Sequence, residues 1–151
     1  MKHLYNDDFT PRRATKDSAG YDIFIDRDIE ISNKEYTKID TNVVFEGTEF
    51  RRTGPYDFPR RYDNFINWVA IIAPRSSYGM KYGLHFSNTI GIIDKDYRDN
   101  IILHARVTTD EPLKVRCGDR IAQMIIVPYY KFLSEIEPNM FRSGGLGSTG
   151  N

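Results

Sequence analysis

Three aspartates and a tyrosine follow an apolar run in the segment IGIIDKDYRDN, residues 90–100. The run predicts a buried strand, and four side chains with polar chemistry stand at its end: Asp94, Asp96, Tyr97 and Asp99. A carboxylate fixed at a strand end can act as a general base toward water. The alternative is an ordinary hairpin turn, because Asp, Asn and Gly are residues that turns prefer. Taken alone, the segment favours the turn.

A second group of polar side chains lies in APRSSYGMKYG, residues 73–83. Arg75, Ser76 and Ser77 stand where a strand should end and a short helix begin. A guanidinium, hydroxyls and free N–H groups at a helix start suit part of a polyphosphate. The same residues are also an ordinary N-cap signal, so this segment alone leaves both interpretations open.

Two further segments carry similar signals. In GDRIAQMII, residues 118–126, Gln123 interrupts an apolar strand and needs partners, either backbone groups or a ligand. Asp119 and Arg120 in the same segment suggest a turn ion pair. The C-terminal RSGGLGSTGN offers backbone N–H groups without Cβ atoms, together with hydroxyls and Arg142, which suits phosphate. Its alternative is a frayed tail, and it is not a P-loop because no Gly-Lys-Ser/Thr ending is present.

The elements that must position these side chains are mostly strands. Period-two patterns rich in Ile, Val and aromatic residues occur in YDIFI, YTKIDTNVVF, NWVAIIA, NIILHARV and RIAQMIIV. The best helical segment is one or two turns around Ser76–Met80. Many short strands in one chain of this length predict an all-β sandwich, jelly roll or barrel.

Composition limits the function classes. The chain has 151 residues, enough for one domain, with 40% hydrophobic and 28% charged residues. Lys plus Arg and Asp plus Glu both total 21, so no net field favours nucleic acid or an anionic membrane, and neither is expected as a partner. No apolar run approaches the roughly 20 residues of a membrane span. His3, His85 and His104 lack paired-ligand spacing, and we expect the last two to be strand residues satisfied locally.

The single Cys117 excludes an intrachain disulfide framework, and the start MKHLYNDD is too polar for a secretory signal. We therefore expect a cytoplasmic or nuclear protein that is not secreted.

The segment 47–67 breaks the strand rhythm and resembles an insertion. It mixes four arginines with aromatic residues and two prolines. Such a patch could contact a protein or nucleic-acid partner. Packing of its aromatic residues on the chain's own domain or subunit interface is favoured, because acidic residues in the segment offset most of its charge.

Taken together and in order, these segments resemble the homotrimeric dUTP pyrophosphatases (dUTPases). The resemblance rests on five segments: AGYDIFI (19–25), PRSSYGMKYG (74–83), SNTIGIIDKDYRDN (87–100), GDRIAQMI (118–125) and RSGGLGSTG (142–150). It implies a jelly-roll-like β domain over residues 1–141 with an inserted loop at about 47–67. It also implies a flexible lid, residues 142–151, that is exchanged between subunits of a homotrimer.

The resemblance further implies a reaction, the conversion of dUTP and water to dUMP and pyrophosphate. Asp94 would activate the water for in-line attack on the α-phosphorus, and Tyr97 would pack under the deoxyribose and exclude a 2′-hydroxyl. Asn88 and Gly91, within a hairpin of residues 84–94, would recognise uracil. Mg²⁺ would be the cofactor, with Asp22 helping to place it through water. The remaining substrate-binding residues would be Arg75, Ser76, Ser77, Gln123, Arg142, Gly145, Leu146, Gly147 and Ser148.

The sequence departs from the family pattern at several of these positions. Arg142 lies one position late in a shortened tail, and Leu146 replaces a phenylalanine that stacks on uracil, which predicts a weaker lid. Ser77 and Asp99 stand in place of glycines. Two alternative functions stay open: a dCTP deaminase of the related fold, suggested by the Arg-Ser-Ser sequence, and a binding or regulatory protein that acts through the 47–67 insertion.

Overall fold

A computed structural model of the protein describes residues 9–44, 67–132 and 134. Ten strands and one short helix make up these parts of the chain. In chain order they are β1 Arg12–Arg13, β2 Tyr21–Phe24, β3 Ile29–Ile31, β4 Thr37–Asp40, β5 Asn67–Pro74, α1 Ser76–Tyr82, β6 His85–Phe86, β7 Gly91–Asp94, β8 Ile102–Arg106, β9 Leu113–Val115 and β10 Arg120–Tyr129. The prediction of an all-β chain with one short helix near residue 76 is confirmed.

The strands form three antiparallel sheets. The largest has the order β1-β2-β10-β5-β7, a second pairs β3 with β9, and a third has the order β4-β8-β6. β10 is the centre of the large sheet, because it pairs with β2 on one side and with β5 on the other. Sequence-distant segments are therefore joined at one strand.

The core between the sheets consists mainly of β-branched residues, which suit a half-buried pleated surface. Its largest fully buried side chains are Ile23, Ile25, Ile31, Ile39, Ile72, Ile101, Ile121, Met124, Val107 and Val115. Each buried side chain of this size contributes about 1.5–3 kcal/mol relative to exposure. This core explains why β2, β5 and β10 follow their predicted patterns closely.

Local chemistry sets the ends of two strands differently from the sequence patterns. In the described part of the segment predicted over 36–45, residues 36–44, only Thr37–Asp40 is a strand, because Asn42 adopts a positive φ of 54° that ends the ladder. β10 instead continues to Tyr129 through Pro128. Its pairing with β2 ends at Met124, so Pro128 lies where β10 is paired on one side only and its missing N–H is tolerated.

The hairpin predicted over residues 84–94 is wrong in one respect. β6 pairs with β8 and β7 pairs with β5, so the two strands belong to different sheets. Between them Thr89 has a positive φ of 65°, and the N–H of Ile90 donates to the carbonyl of Asn88 at 2.7 Å, which redirects the chain. The strand is also less buried than expected, since β7 is an edge strand and Ile92 is 54% exposed.

Two predicted features lie outside the described residues. One is the inserted loop, except for Asn67, which begins β5, and the other is the C-terminal lid. Within the described ranges, no helix has the length and apolarity that a membrane crossing requires. Of the two strand histidines, His85 is satisfied locally, with Nδ1 at 2.9 Å from the carbonyl oxygen of Gly83.

Candidate active site

The central feature of the candidate site is a buried carboxylate between two guanidinium groups. Asp22, on β2, has a side chain that is only 7% exposed. Its Oδ1 atom lies 3.0 Å from Nε of Arg75, and its Oδ2 atom lies 3.1 Å from Nη1 of Arg120. One carboxylate thus holds two cations, and this cluster of three residues carries one positive charge in excess. An excess of guanidinium groups suits a phosphate.

Arg120 is a site residue that the sequence analysis missed. The suggested turn ion pair with Asp119 does not form, since Oδ2 of Asp119 accepts instead from the backbone N–H of Arg116 at 2.9 Å. A β-bulge explains the difference: the three steps from Arg120 to Gln123 on β10 match only two steps, from Phe24 to Asp22, on β2. The extra residue reverses the alternation, so Arg120 joins Gln123 on the face of Asp22.

The junction of β5 and α1 positions Arg75 and the two serines. Arg75 has an extended backbone, its N–H donates to the carbonyl of Ile121 at 2.9 Å, and it is itself the N-cap residue of α1. Ser76 and Ser77 are the first two helical residues, and both are exposed. The N-cap interpretation of the serines is therefore wrong, and their hydroxyls face solvent beside the cluster.

Gln123 reaches the same region from the central strand. It is opposite Asp22 on β2 and opposite Ala73 on β5. A Cβ atom placed on Gly20 would lie 2.9 Å from Oε1 of Gln123, which is closer than real Cβ atoms approach. The glycine before β2 therefore makes room for the Gln123 side chain, a role that the sequence segment AGYD did not reveal.

Asp94 and Tyr97 lie together in a tight turn at the end of β7. Asp94 is the last residue of the strand and is exposed, whereas Tyr97 is 6% exposed. The N–H of Tyr97 donates to the carbonyl of Asp94 at 3.0 Å, and its hydroxyl donates to the carbonyl of Asn100 at 2.9 Å. Tyr97 and Asn100 line an open groove of about 510 Å³. The turn thus places an exposed aspartate three residues before a buried tyrosine whose hydroxyl is hydrogen-bonded.

Gly91 is the first residue of β7, and Asn88 lies in the connection that precedes this strand. Gly91 faces β5, and a Cβ atom there would lie 3.4 Å from Cβ of Ile72. Asn88 is exposed at the turn that leads from β6 to β7. Position 91 therefore packs directly against its pairing partner Ile72 on β5.

Within one chain, the structure does not bring Asp94 and the arginine cluster together. Asp94 is opposite Val69 on β5, whereas Arg75 follows the other end of that strand. Six residues of extended chain span roughly 20 Å. This distance exceeds what one triphosphate bridges, so the two groups belong to separate parts of the subunit surface.

The predicted tail residues Arg142, Gly145, Leu146, Gly147 and Ser148 lie outside the described residues. In the part of the chain that the structure does describe, no three His, Cys, Asp or Glu side chains are grouped so as to hold a metal ion. Both oxygens of Asp22, the carboxylate within the arginine cluster, already accept from arginine.

Electrostatics also couple α1 to the start of β10. Burial raises the pKa of Tyr78 to about 12, and the negative charge of Asp119 and a hydrogen bond to it add to the effect. The same tyrosine packs against Tyr82 with ring centroids 5.6 Å apart. The helix that presents the serines is therefore fixed to the turn that presents Arg120.

Comparisons with known proteins show which family the chain is similar to. Residues 51–150 match the dUTPase family model. The deoxyuridine 5′-triphosphate nucleotidohydrolase of Haemophilus influenzae (strain PittEE) is 31% identical over 146 residues, which cover 93% of this chain and 86% of that protein.

Solved structures are similar as well. The crystal structure of dUTPase from Streptococcus mutans aligns with a TM-score of 0.66 at 24% identity and covers 87% of this chain and 94% of that one. A mutant dUTPase from phage phi11 of S. aureus, whose structure concerns the coordination of a structural Mg(II) ion, aligns with a TM-score of 0.58 at 22% identity, over 87% of this chain and 91% of that one. The jelly-roll-like fold class is therefore confirmed, and because the family model matches more than half of the sequence, this chain belongs to the dUTPase family.

Proposed function

We propose that this protein converts dUTP and water to dUMP and pyrophosphate, with Asp94 as the general base that activates the attacking water. The observation that carries this proposal is a pair of features in a dUTPase chain: an exposed aspartate in one turn with a buried tyrosine, and a positively charged cluster that suits phosphate. Asp94 is exposed and held by a turn, so a water molecule can reach it. Such a base typically contributes about 10²- to 10⁴-fold to the rate.

The phosphate end of the substrate is assigned to the cluster of Asp22, Arg75 and Arg120 with its neighbours. Arg75 and Arg120 neutralise phosphate charge, and Asp22 fixes their orientation through its two carboxylate oxygens. Ser76, Ser77 and Gln123 add hydrogen-bond donors beside them. Transition-state charge on the phosphates is thus met by groups that are already in place.

Mg²⁺ belongs to the proposal as a cofactor that arrives with the triphosphate. Mg²⁺ keeps several waters and is usually held by one or two carboxylates together with substrate phosphates, which fits a cluster with Asp22 at its centre. Asp22 would contact a water of its shell. When bound, the ion neutralises phosphate charge and restrains the triphosphate.

The nucleoside end is assigned to the β7 turn. Tyr97, buried and hydrogen-bonded, forms a rigid floor under the deoxyribose that leaves no room for a 2′-hydroxyl. Asn88 and the backbone near Gly91 pair with the uracil edge. A site that leaves polar groups unpaired against the wrong base discriminates strongly.

A homotrimer completes the site in this proposal. The roughly 20 Å between Asp94 and Arg75 along β5 supports it, because a nucleoside end on one copy and a phosphate end on another can then meet across an interface. The C-terminal residues Arg142, Gly145, Leu146, Gly147 and Ser148 would close over the site from a third copy.

Cys117, exposed and free, fits a reducing cytoplasmic or nuclear location.

The decisive experiment is Asp94→Asn with dUTP, dTTP, dCTP and UTP as substrates and release of pyrophosphate as the readout. We expect the unaltered protein to hydrolyse dUTP far faster than the other three. The variant should bind dUTP as before and turn it over about 10²- to 10⁴-fold more slowly. Near-normal turnover in the variant would show that Asp94 is not the general base. Release of ammonia from dCTP would show that the protein is a dCTP deaminase and not a dUTP pyrophosphatase.

A further inference from the structure

The turn that carries Asp94 and Tyr97 is closed by its own hydrogen bonds. The guanidinium of Arg98 donates to the carbonyls of Lys95 and Tyr97, at 2.8 and 3.0 Å. The tyrosine hydroxyl donates to the carbonyl of Asn100. The position of the phenol ring therefore depends on where the backbone of Asn100 lies.

A contact between side chains joins Asn100 to β4, which lies in a different sheet from β7. Its Nδ2 atom donates to Oδ2 of Asp40 at 3.0 Å, and Asp40 ends β4. The other oxygen of Asp40 accepts from the backbone N–H of Asn42 at 2.9 Å, so the carboxylate cannot rotate freely. Asn42 itself has the left-handed backbone that ends the strand.

The next residues tie the same two segments with backbone groups. The N–H and the hydroxyl of Thr41 both donate to the carbonyl of Ile101, and the N–H of Ile101 donates to the carbonyl of Val43 at 2.9 Å. Thr41 and Ile101 are both buried. This rigid backbone pairing holds the chain that follows Asn100, and the Asp40–Asn100 contact holds Asn100 itself, on the side nearer to Tyr97.

We propose that Asp40 and Asn100 are positioning residues that hold Tyr97 in register for sugar recognition. This inference rests on the proposed role of Tyr97 under the deoxyribose. In this proposal both residues act through Tyr97 and not through contact with the substrate. The Asp40–Asn100 contact fixes the position of the Asn100 carbonyl, and this carbonyl fixes the hydroxyl of Tyr97. The position of the phenol ring then determines how much space is left for a substituent at the 2′ carbon of the sugar. Loosening the contact should therefore lower the dUTP-to-UTP ratio of kcat/KM strongly and the unfolding temperature only slightly.

The two residues differ only in an amide and a carboxylate, which permits an exchange test. Asn100→Asp places two carboxylates against each other, and like charges in contact repel. Asp40→Asn combined with Asn100→Asp restores one amide facing one carboxylate, with donor and acceptor reversed. The experiment measures kcat/KM for dUTP and for UTP, together with thermal unfolding of each variant.

We expect Asn100→Asp to lower the dUTP-to-UTP ratio of kcat/KM about tenfold. The double exchange should restore this ratio to within about twofold of the value for the unaltered protein. Asn100→Ala, which removes the donor without adding charge, should give an intermediate ratio and serves if the charged variant does not fold. An unchanged ratio in both single variants, or no recovery in the double exchange, would overturn the inference.

A matched control separates positioning from general destabilisation. Asn33 also donates through Nδ2, to the carbonyls of Thr109 and Asp110, beyond the opposite end of β8. Asn33→Asp should lower the unfolding temperature and leave the ratio unchanged. A ratio that fell equally in this variant would show that the effect reports stability and would overturn the inference.

Tyr97→Ala distinguishes the inference from the proposed function. If it lowers the ratio and Asn100→Asp does not, only the positioning role is overturned. If Tyr97→Ala leaves the ratio unchanged, the ring has no part in sugar selection, and both the assignment of Tyr97 and the inference built on it are overturned.

Discussion

Asp22 is the single residue on which the phosphate cluster depends most. Its carboxylate is almost fully buried, and both of its oxygens accept from guanidinium groups that are themselves partly exposed. Removing one partner from a buried ion cluster leaves charge uncompensated, which costs more than the interaction itself contributes. We therefore expect Asp22 to contribute to stability as well as to the proposed binding of phosphate.

We expect Asp22→Asn to lower the free energy of unfolding by about 2 kcal/mol, below the usual loss for a fully buried pair because solvent screens both arginines. Urea unfolding measures this. The control is Asp26→Asn, where an exposed pair with Arg27 should contribute about 0.5 kcal/mol. Equal losses in the two variants would contradict a special role for Asp22.

A second prediction at this scale concerns Arg120, which enters the cluster only because of the bulge. Arg120→Ala should weaken binding of dUTP about tenfold and leave binding of dUMP nearly unchanged, because the missing guanidinium acts on the outer phosphates. Calorimetry with both nucleotides measures the two affinities. A similar loss of affinity for dUMP would show that Arg120 acts on the nucleoside or the α-phosphate and not on the outer phosphates.

At the scale of elements, α1 is fixed to the turn before β10 through Tyr78. The folded state raises the pKa of this phenol to about 12 from 10.0, so it stays protonated where the unfolded chain has already ionised. Its contribution to the free energy of unfolding is complete below pH 10 and is lost as the pH rises toward 12. Tyr78→Phe should therefore show a shallower loss of stability between pH 10 and 12, measured by thermal unfolding. Parallel curves for the two proteins would contradict the coupling.

The turn between β9 and β10 is held in the same way by a carboxylate from the segment before β3. The backbone N–H of Cys117 and then the guanidinium of Arg116 lower the pKa of Asp28 below its ordinary 3.8. Its stabilising contribution is present above that value and is lost as the pH falls through the lower pKa of the folded state. Asp28→Asn should reduce the unfolding temperature at pH 7, and the difference from the original protein should shrink in strong acid. A difference that is constant with pH would contradict this account.

At the scale of the whole molecule, the separation of Asp94 from Arg75 predicts complementation between inactive chains. Asp94→Asn and Arg75→Ala should each be inactive alone. Unfolded and refolded together, they should regain activity, since about a quarter of the mixed sites then combine two unaltered parts. Sedimentation should give three times the chain mass of 17.6 kDa. No activity in a mixture that sediments as a trimer would contradict a site shared between copies.

The sequence predicts most of the fold, because the core is built from strands whose apolar residues alternate. β2, β5 and β10 are long or strongly patterned, and their predicted positions are confirmed. β1, which consists of two exposed arginines, leaves no such pattern, and β7 has an apolar sequence but lies at a sheet edge. Whether a strand lies at the edge or in the middle of a sheet depends on which other segments pair with it, and the sequence of the strand itself does not show this.

The candidate site was predictable where one segment supplies the chemistry and not where segments meet. Asp94 and Tyr97 lie in one turn, and their motif places them correctly beside each other. Arg120 joins Asp22 through a bulge, and Asn100 meets Asp40 across 60 residues of sequence. Neither contact leaves a local signal, because both depend on the register between distant strands.

Asp22 and Arg120 are 98 positions apart in the sequence, so their cluster can form only late in synthesis. β10 fills the place between β2 and β5, and it is the last described strand to leave the ribosome. Until then the nascent chain holds two long open edges, which attract other chains. Closing so large a loop is entropically slow, so the arrival of β10 ends the period of greatest aggregation risk and, in the same step, assembles the arginine pair around its aspartate.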